Sequence, residues 1–261
     1  MAEMDNKARF LTGSTMRHVV VMTLTGSLGL VFMFLVDVTT LFWVSYLGEE
    51  GLIAALGFGW TIQFFTISSG IGLMIASTAL VSKSIGQGKL ELARKQTTSA
   101  ALYTFVFQLF TALIVIIYRR EILAFAGAEG QTLEDAALFL FISVPSLPFM
   151  ALGMVGSAVL RSIGDAVRSM SVTMSAGLVA MLVDPLFILG LGWGFEGAAW
   201  GIVVSRTVSA VLSIWFVVRV HNMVGSVSRE ALGTLSKPFL AIAIPAVLTQ
   251  LSTPFGNYVL T

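Results

Sequence analysis

The sequence predicts an all-α membrane protein: a six-helix transmembrane lobe plus a seventh transmembrane helix, with the N-terminus inside and the C-terminus outside. Three observations predict it. Hydrophobic residues fill 56% of the 261 positions and charged residues only 11%, whereas a soluble domain carries about a quarter charged residues. The apolar residues gather into seven stretches, each able to cross a hydrocarbon core roughly 30 Å thick with about 20 residues. Lysine and arginine are distributed unequally between the two ends of those stretches.

Residues 1–15 form a polar N-terminal segment. The spans then run over 16–46, 52–84, 97–118, 135–160, 166–189, 197–218 and 238–260. The first two exceed the length needed, so they tilt or extend past the hydrocarbon edge. None shows the polar stripe of a soluble amphipathic helix. With the N-terminus inside, twelve basic residues lie on the inner side: Lys7, Arg9, Arg17, Lys83, Lys89, Arg94, Lys95, Arg161, Arg168, Arg219, Arg229 and Lys237. Arg119 and Arg120 fall outside, and Arg206 falls within a span. The outer connections hold Glu49, Glu50, Glu121, Glu129, Glu134, Asp135 and Glu196. This bias predicts the orientation through the positive-inside rule and favours an odd number of spans. The first apolar stretch is too long for a cleavable signal and lacks a small-residue exit.

Residues 220–237 are the longest polar stretch between spans and read as an inner-side linker. They separate the six-helix unit, residues 16–219, from an incomplete second unit, residues 238–261. A chain that reaches the membrane edge just after opening a new unit reads as truncated. Its partners are the bilayer and a missing C-terminal lobe. With no cysteine, disulfides and thiolate metal sites are excluded, and a net charge of +1 gives no basic balance for nucleic acid. His18 and His221 lie in different segments. Gly86-Gln87-Gly88-Lys89 lacks the spacing of a phosphate-binding loop, and no hydrolase motif is present. The chain does not read as an enzyme.

The candidate functional residues are the polar groups inside spans. A charged Asp at a helix centre costs about 2.5–3.5 kcal/mol, so an intramembrane acid is read first as functional. Asp37 in the first span and Asp184 in the fifth both fall in the outer half of the membrane, where two carboxylates at similar depth can share a proton or a Na⁺. The alternative is that each acid only bonds a neighbouring helix. Pro185 has no N–H, so the Met181 carbonyl loses its helical donor. At membrane depth that carbonyl needs a new partner, which makes Met181 and Asp184 a candidate half-site for a cation; an ordinary proline kink is the other reading. Thr40 lies one turn after Asp37. Arg206 needs a partner too: it pairs with Asp184, or else it snorkels inward or meets backbone carbonyls. Gln63 and Gln108 either line a cavity or bond between helices. Gly197, Gly201, Ser205, Ser209 and Ser213 form a small-residue stripe suited to close packing.

Four segments carry a family resemblance. They are Leu41-Phe42-Trp43-Val44-Ser45-Tyr46-Leu47-Gly48 with Leu52-Ile53-Ala54-Ala55; Ala76-Ser77-Thr78-Ala79-Leu80-Val81-Ser82 with Ile85-Gly86-Gln87-Gly88; Leu160-Arg161-Ser162-Ile163-Gly164-Asp165-Ala166; and Asp184-Pro185-Leu186-Phe187-Ile188 with Gly197-Ala198-Ala199 and Ser205-Arg206. Their order and spacing resemble the multidrug and toxic compound extrusion (MATE) family, in its N-terminal lobe plus helix 7. The resemblance implies a multi-pass cell-membrane antiporter that exports organic cations or other small amphipathic substrates by alternating access. It uses no cofactor beyond its coupling ion, H⁺ or Na⁺. The family often has Asn four residues before the helix 5 Asp and G-A-A-x-A-T in helix 6. This chain has Ala180 and Ile202 there, which favours H⁺. The family's helix 1 Asp falls on Thr40, and Asp37 sits one turn earlier. A lipid or lipid-linked precursor flippase of related architecture, or a half-transporter inactive alone, are the alternatives.

Overall fold

The structure, a computed structural model, describes residues 14–260; the segment 1–13 and Thr261 lie outside them. Nine α-helices are described: α1 (Thr15–Ser45), α2 (Glu50–Gly86), α3 (Leu90–Ile117), α4 (Arg119–Phe125), α5 (Gly130–Ser143), α6 (Leu147–Ser162), α7 (Ala166–Pro185), α8 (Gly194–Trp215) and α9 (Arg229–Leu260). Seven of the resulting segments are long and apolar enough to cross a membrane. α5 and α6 together make the fourth of these. α4 is a single short helix at the acidic end that the sequence reading did not separate. α9 begins at Arg229, nine residues before the expected start at 238. Pro238 and Pro245 both lie inside it.

α2, about 55 Å long at 1.5 Å per residue, touches α3, α5, α6 and α9. Its length lets it join two apolar cores. One, toward the acidic end, contains Val44, Leu56, Phe139, Leu140, Leu147 and Ala198. The other, toward the basic end, contains Leu73, Val81, Val159, Leu160, Val217 and Phe239. Between them lies a buried polar belt that includes Gln63, Thr66, Ser69, Gln108, Ser143, Ser146 and Arg206. The outward faces stay apolar: Val31, Phe34 and Val38 on α1 and Phe110 and Ile117 on α3 are exposed, as suits contact with lipid tails.

Two motif glycines end helices for a steric reason. Gly88 and Gly164 have φ of 72° and 84°, where a side chain is strained. Both close the same double cap. Gly88 N–H donates to the Ile85 carbonyl and Lys89 N–H to that of Ser84, while Gly164 and Asp165 donate to Arg161 and Leu160.

The small-residue stripe of α8 turns as it descends. Every fourth residue advances about 40° around a 3.6-residue helix, so the stripe faces two neighbours in turn. A Cβ at Gly197 would meet the Phe187 and Ile188 backbone at 2.7 Å, and Ser205 Oγ donates to the Ala176 carbonyl at 2.9 Å. Further along, Ser209 and Ser213 pack against Gly153 and Gly156 of α6. The stripe is a packing device for α7 and then α6.

Candidate functional site

Asp184 is 2% exposed and sits where α1, α7 and α8 meet. α1 and α7 run side by side in the same direction, and Gly177 lets them close: a Cβ there would lie 2.8 Å from Phe32 and 2.9 Å from Val36. Gly177 and Asp184 are seven residues apart, two turns along one face. Phe32, Val36 and Thr40 are spaced by four on the facing helix. The same register that puts Val36 on Gly177 puts Thr40 on Asp184, and Thr40 Oγ1 donates to Asp184 Oδ2 at 2.5 Å. The other oxygen, Oδ1, rests against α8. A Cβ at Gly201 would come within 2.0 Å of it, so only glycine leaves room for the carboxyl. Gly201 was visible in the sequence only as part of the small stripe.

Asp37 does not join this site. It is about 60° around α1 from Thr40; Thr40 is 6% exposed, whereas Asp37 is exposed and makes no hydrogen bond to Asp184. The expected carboxylate pair is replaced by a carboxyl–hydroxyl pair. After Pro185 the chain widens into a π turn, Leu186–Gly190. Leu186 N–H turns to the Val183 carbonyl, and among the described residues no side chain donates to the Met181 carbonyl.

Arg206 is 9% exposed and pairs with neutral groups, not with Asp184. Its Nη2 donates to Gln63 Oε1 at 2.5 Å. Its Nη1 donates to the Ser143 carbonyl at 3.1 Å and to Ser146 Oγ at 3.0 Å. The cause lies in the fourth span. Pro145 and Pro148 break it into α5, a 3-10 turn at Val144–Ser146, and α6. Leu147 N–H bonds the Val144 carbonyl, so it no longer serves Ser143. A carbonyl without a donor in the bilayer core costs several kcal/mol; here Ser146 Oγ donates to it at 2.5 Å and the guanidinium supplies a second donor. Gln63 is held in turn by Nε2 donating to Ser143 Oγ at 3.2 Å. Gln108 Nε2 donates to the Thr66 carbonyl at 3.1 Å. Both glutamines therefore bond between helices.

At the basic end, the α6–α7 connection carries Asp165, which is 6% exposed. Its Oδ1 accepts from Arg168 N–H at 3.2 Å, capping α7, and its Oδ2 accepts from Arg168 Nη1 and from His221 Nε2 at 2.9 Å. Burial pushes its carboxyl pKa up, but the hydrogen bonds from Arg168 and His221 outweigh it and hold the pKa below the ordinary value.

The MatE family model matches residues 26–186, which include Thr40 and Asp184. The FAD transporter of Shewanella oneidensis is 25% identical over 266 residues, spanning 98% of this chain and 58% of that protein. Multidrug export protein MepA of Staphylococcus aureus is 23% identical over 231 residues, spanning 85% of this chain and 50% of that one. The chain thus spans about half the length of these curated relatives. Among solved structures, the outward-facing conformation of a multidrug resistance MATE family transporter of the MOP superfamily superposes with a TM-score of 0.86 at 23% identity, covering 96% of this chain and 56% of that one. The inward-facing conformation gives 0.75 over 86% of this chain and 51% of that one. The residues of the matched region, the shared seven-span fold and the extent of these likenesses lead to one conclusion: the chain belongs to the MatE family of multi-pass membrane transporters.

Proposed function

We propose that this chain forms the N-terminal lobe and first C-lobe helix of a secondary transporter that exports small amphipathic compounds in exchange for a coupling ion, with the basic end of the bundle in the cytoplasm. H⁺ is the ion this reading favours, and Asp184 is its carrier. The observation that supports it is the contact of Thr40 with Asp184 at the α1–α7–α8 junction. A hydrogen bond to an ionised group contributes about 1.5–3 kcal/mol, against about 2.5–3.5 kcal/mol to hold the charge in the bilayer. The two are close enough that the charge state of Asp184 shifts the balance between helix arrangements. Thr40 Oγ1 and the Asp184 carboxyl meet there, and Ala180 and Ile202 stand where the Na⁺-type pattern would supply two more ligands, so a proton is the simpler coupling ion. The remaining half, as long as in the relatives, would complete the substrate cavity.

The test uses the native gene at full length. Asp184→Asn abolishes pH-driven uptake of a fluorescent cation into inverted vesicles while membrane expression stays normal; unchanged uptake would overturn the role of Asp184. A second reading, an anionic nucleotide-like cargo, is favoured by the likeness to the FAD transporter over 98% of the chain. Competition between the cationic dye and FAD in the same vesicles separates the two.

A further inference from the structure

The connection between α8 and α9 is fastened at three points. α8 ends in a π turn, Phe216–Val220, and the residues 221–228 that follow have no regular secondary structure. His221, the first of them, reaches Asp165 at 2.9 Å. Four residues on, Gly225 N–H donates to Thr98 Oγ1 at 3.1 Å, and the same hydroxyl lies 2.9 Å from the Gly225 carbonyl. A Cβ at Gly225 would come within 3.1 Å of Arg94 and Lys95, so the strand of chain lies flat on α3. Beyond it, Tyr103 OH donates to the Leu232 carbonyl at 2.5 Å, and its ring packs on Phe239 at 5.2 Å.

We propose that the Asp165–His221 contact is a proton-sensitive latch that fastens the α8–α9 connection to the α6–α7 connection. Of the three fastenings, the other two join neutral groups and only this one contains an imidazole, which gains a charge by taking up a proton. The held-down carboxyl of Asp165 is ionised there and only accepts, so Nε2 carries the hydrogen in either charge state. With imidazole neutral, the contact is one hydrogen bond to a carboxylate. With imidazolium, it becomes an ion pair as well. The opposing charge is Arg168 of α7, whose Nη1 is 3.5 Å from His221 Nε2 and shares Oδ2. The Arg168 guanidinium lies at the same time over the Phe216 ring at 5.9 Å, a contact that does not depend on Asp165. The other cations of this corner are engaged or turned away. Arg161 of α6 donates to Ser169 Oγ at 3.0 Å, Arg94 of α3 pairs with Glu91 at 2.7 Å, and Lys95 and Arg219 are exposed. Acidification on the basic-end side of the membrane therefore tightens the connection.

Hydrogen–deuterium exchange of residues 222–228 in the full-length native protein in lipid nanodiscs tests this, with rates corrected for intrinsic exchange. Protection should rise about three- to tenfold between about pH 8 and about pH 5.5. His221→Gln keeps a neutral donor and should flatten that dependence. Thr98→Val, which loosens a neutral fastening, should lower protection equally at both pH values and leave the slope intact. An equal slope in wild type and His221→Gln, or a flat wild-type profile, overturns the latch. No transport assay enters the test, so its outcome is independent of the proposed role of Asp184.

Discussion

Asp184 and Gly201 are coupled by a single short distance. Gly201→Ala places a Cβ about where Oδ1 now lies, so it should lower the unfolding midpoint in detergent by the equivalent of about 1–3 kcal/mol, as overpacking does. Asp184→Ala should relieve that penalty, making the double variant more stable than the sum of the single changes; additive losses would show that the two positions do not press on each other. Arg206→Leu leaves Gln63 Oε1 without its donor and the Ser143 carbonyl with the Ser146 hydroxyl alone, and should cost about 1–3 kcal/mol by the same measurement. Arg206→Lys, lacking the fork that reaches both sides, should recover only part of it. The importance of Asp184 and Arg206 was legible in the sequence, because a charge inside a span demands a partner. Their partners were not legible. Depth offered Asp184 as one partner of Arg206 and backbone carbonyls as the other; the fork takes the Ser143 carbonyl at the 3-10 turn, and a proline in the sequence does not say which side chain from another span will reach that turn. Asp37 stands beside Asp184 in the sequence because both are acids at similar depth within spans; the 60° between Asp37 and Thr40 is enough to turn one outward and bury the other.

The spans were legible because each is a long apolar run, and their ends were legible where glycine closes a helix, as at Gly88 and Gly164. The short α4 and the early start of α9 were not, because a polar amphiphilic turn at a membrane surface reads as a connection. Packing between elements is carried by small residues. Gly156→Leu, aimed at Ser213 with a would-be Cβ at 2.5 Å, should therefore disrupt the α6–α8 contact, whereas Val211→Leu on the exposed face of α8 should leave the unfolding midpoint unchanged. The α6–α7 connection adds a pH term. The Asp165 carboxyl is held below its ordinary value, so its contribution is present above the unfolded carboxyl value, about 3.9, and is lost as pH falls through the lower folded one. Asp165→Asn should thus lower the unfolding midpoint at pH 7, by about 1 kcal/mol or less, and the gap should close below about pH 4.

At the scale of the molecule, the twelve-to-two partition of basic residues predicts which end faces the cytoplasm, and the chain offers a direct check because it has no native cysteine. Single cysteines at Ser226, on the basic end, and Glu129, on the acidic end, are both at exposed positions. A membrane-impermeant maleimide should label the cysteine at 129 in intact cells and the one at 226 only after permeabilisation. The reverse pattern would invert the topology and place Asp184 in the inner half of the membrane. The seventh helix packs against the second: α9 lies along α2, where a Cβ at Gly72 would come within 2.6 Å of the Val247 backbone. The sequence marks residues 238–261 as the start of another unit but not this contact with α2. A hydrophobic pattern marks where a helix crosses the membrane but not which neighbour it lies against.

The stitching of the fourth span by Arg206 also sets an order in time. Ser146 and Arg206 are 60 residues apart, and a ribosome adds about 5–20 residues per second. The broken span therefore enters the bilayer about 3–12 s before the guanidinium that completes it has been made. During that interval the Ser143 carbonyl rests on the Ser146 hydroxyl of its own span and lacks its second donor, so the bend in this span is finished by a later part of the same chain.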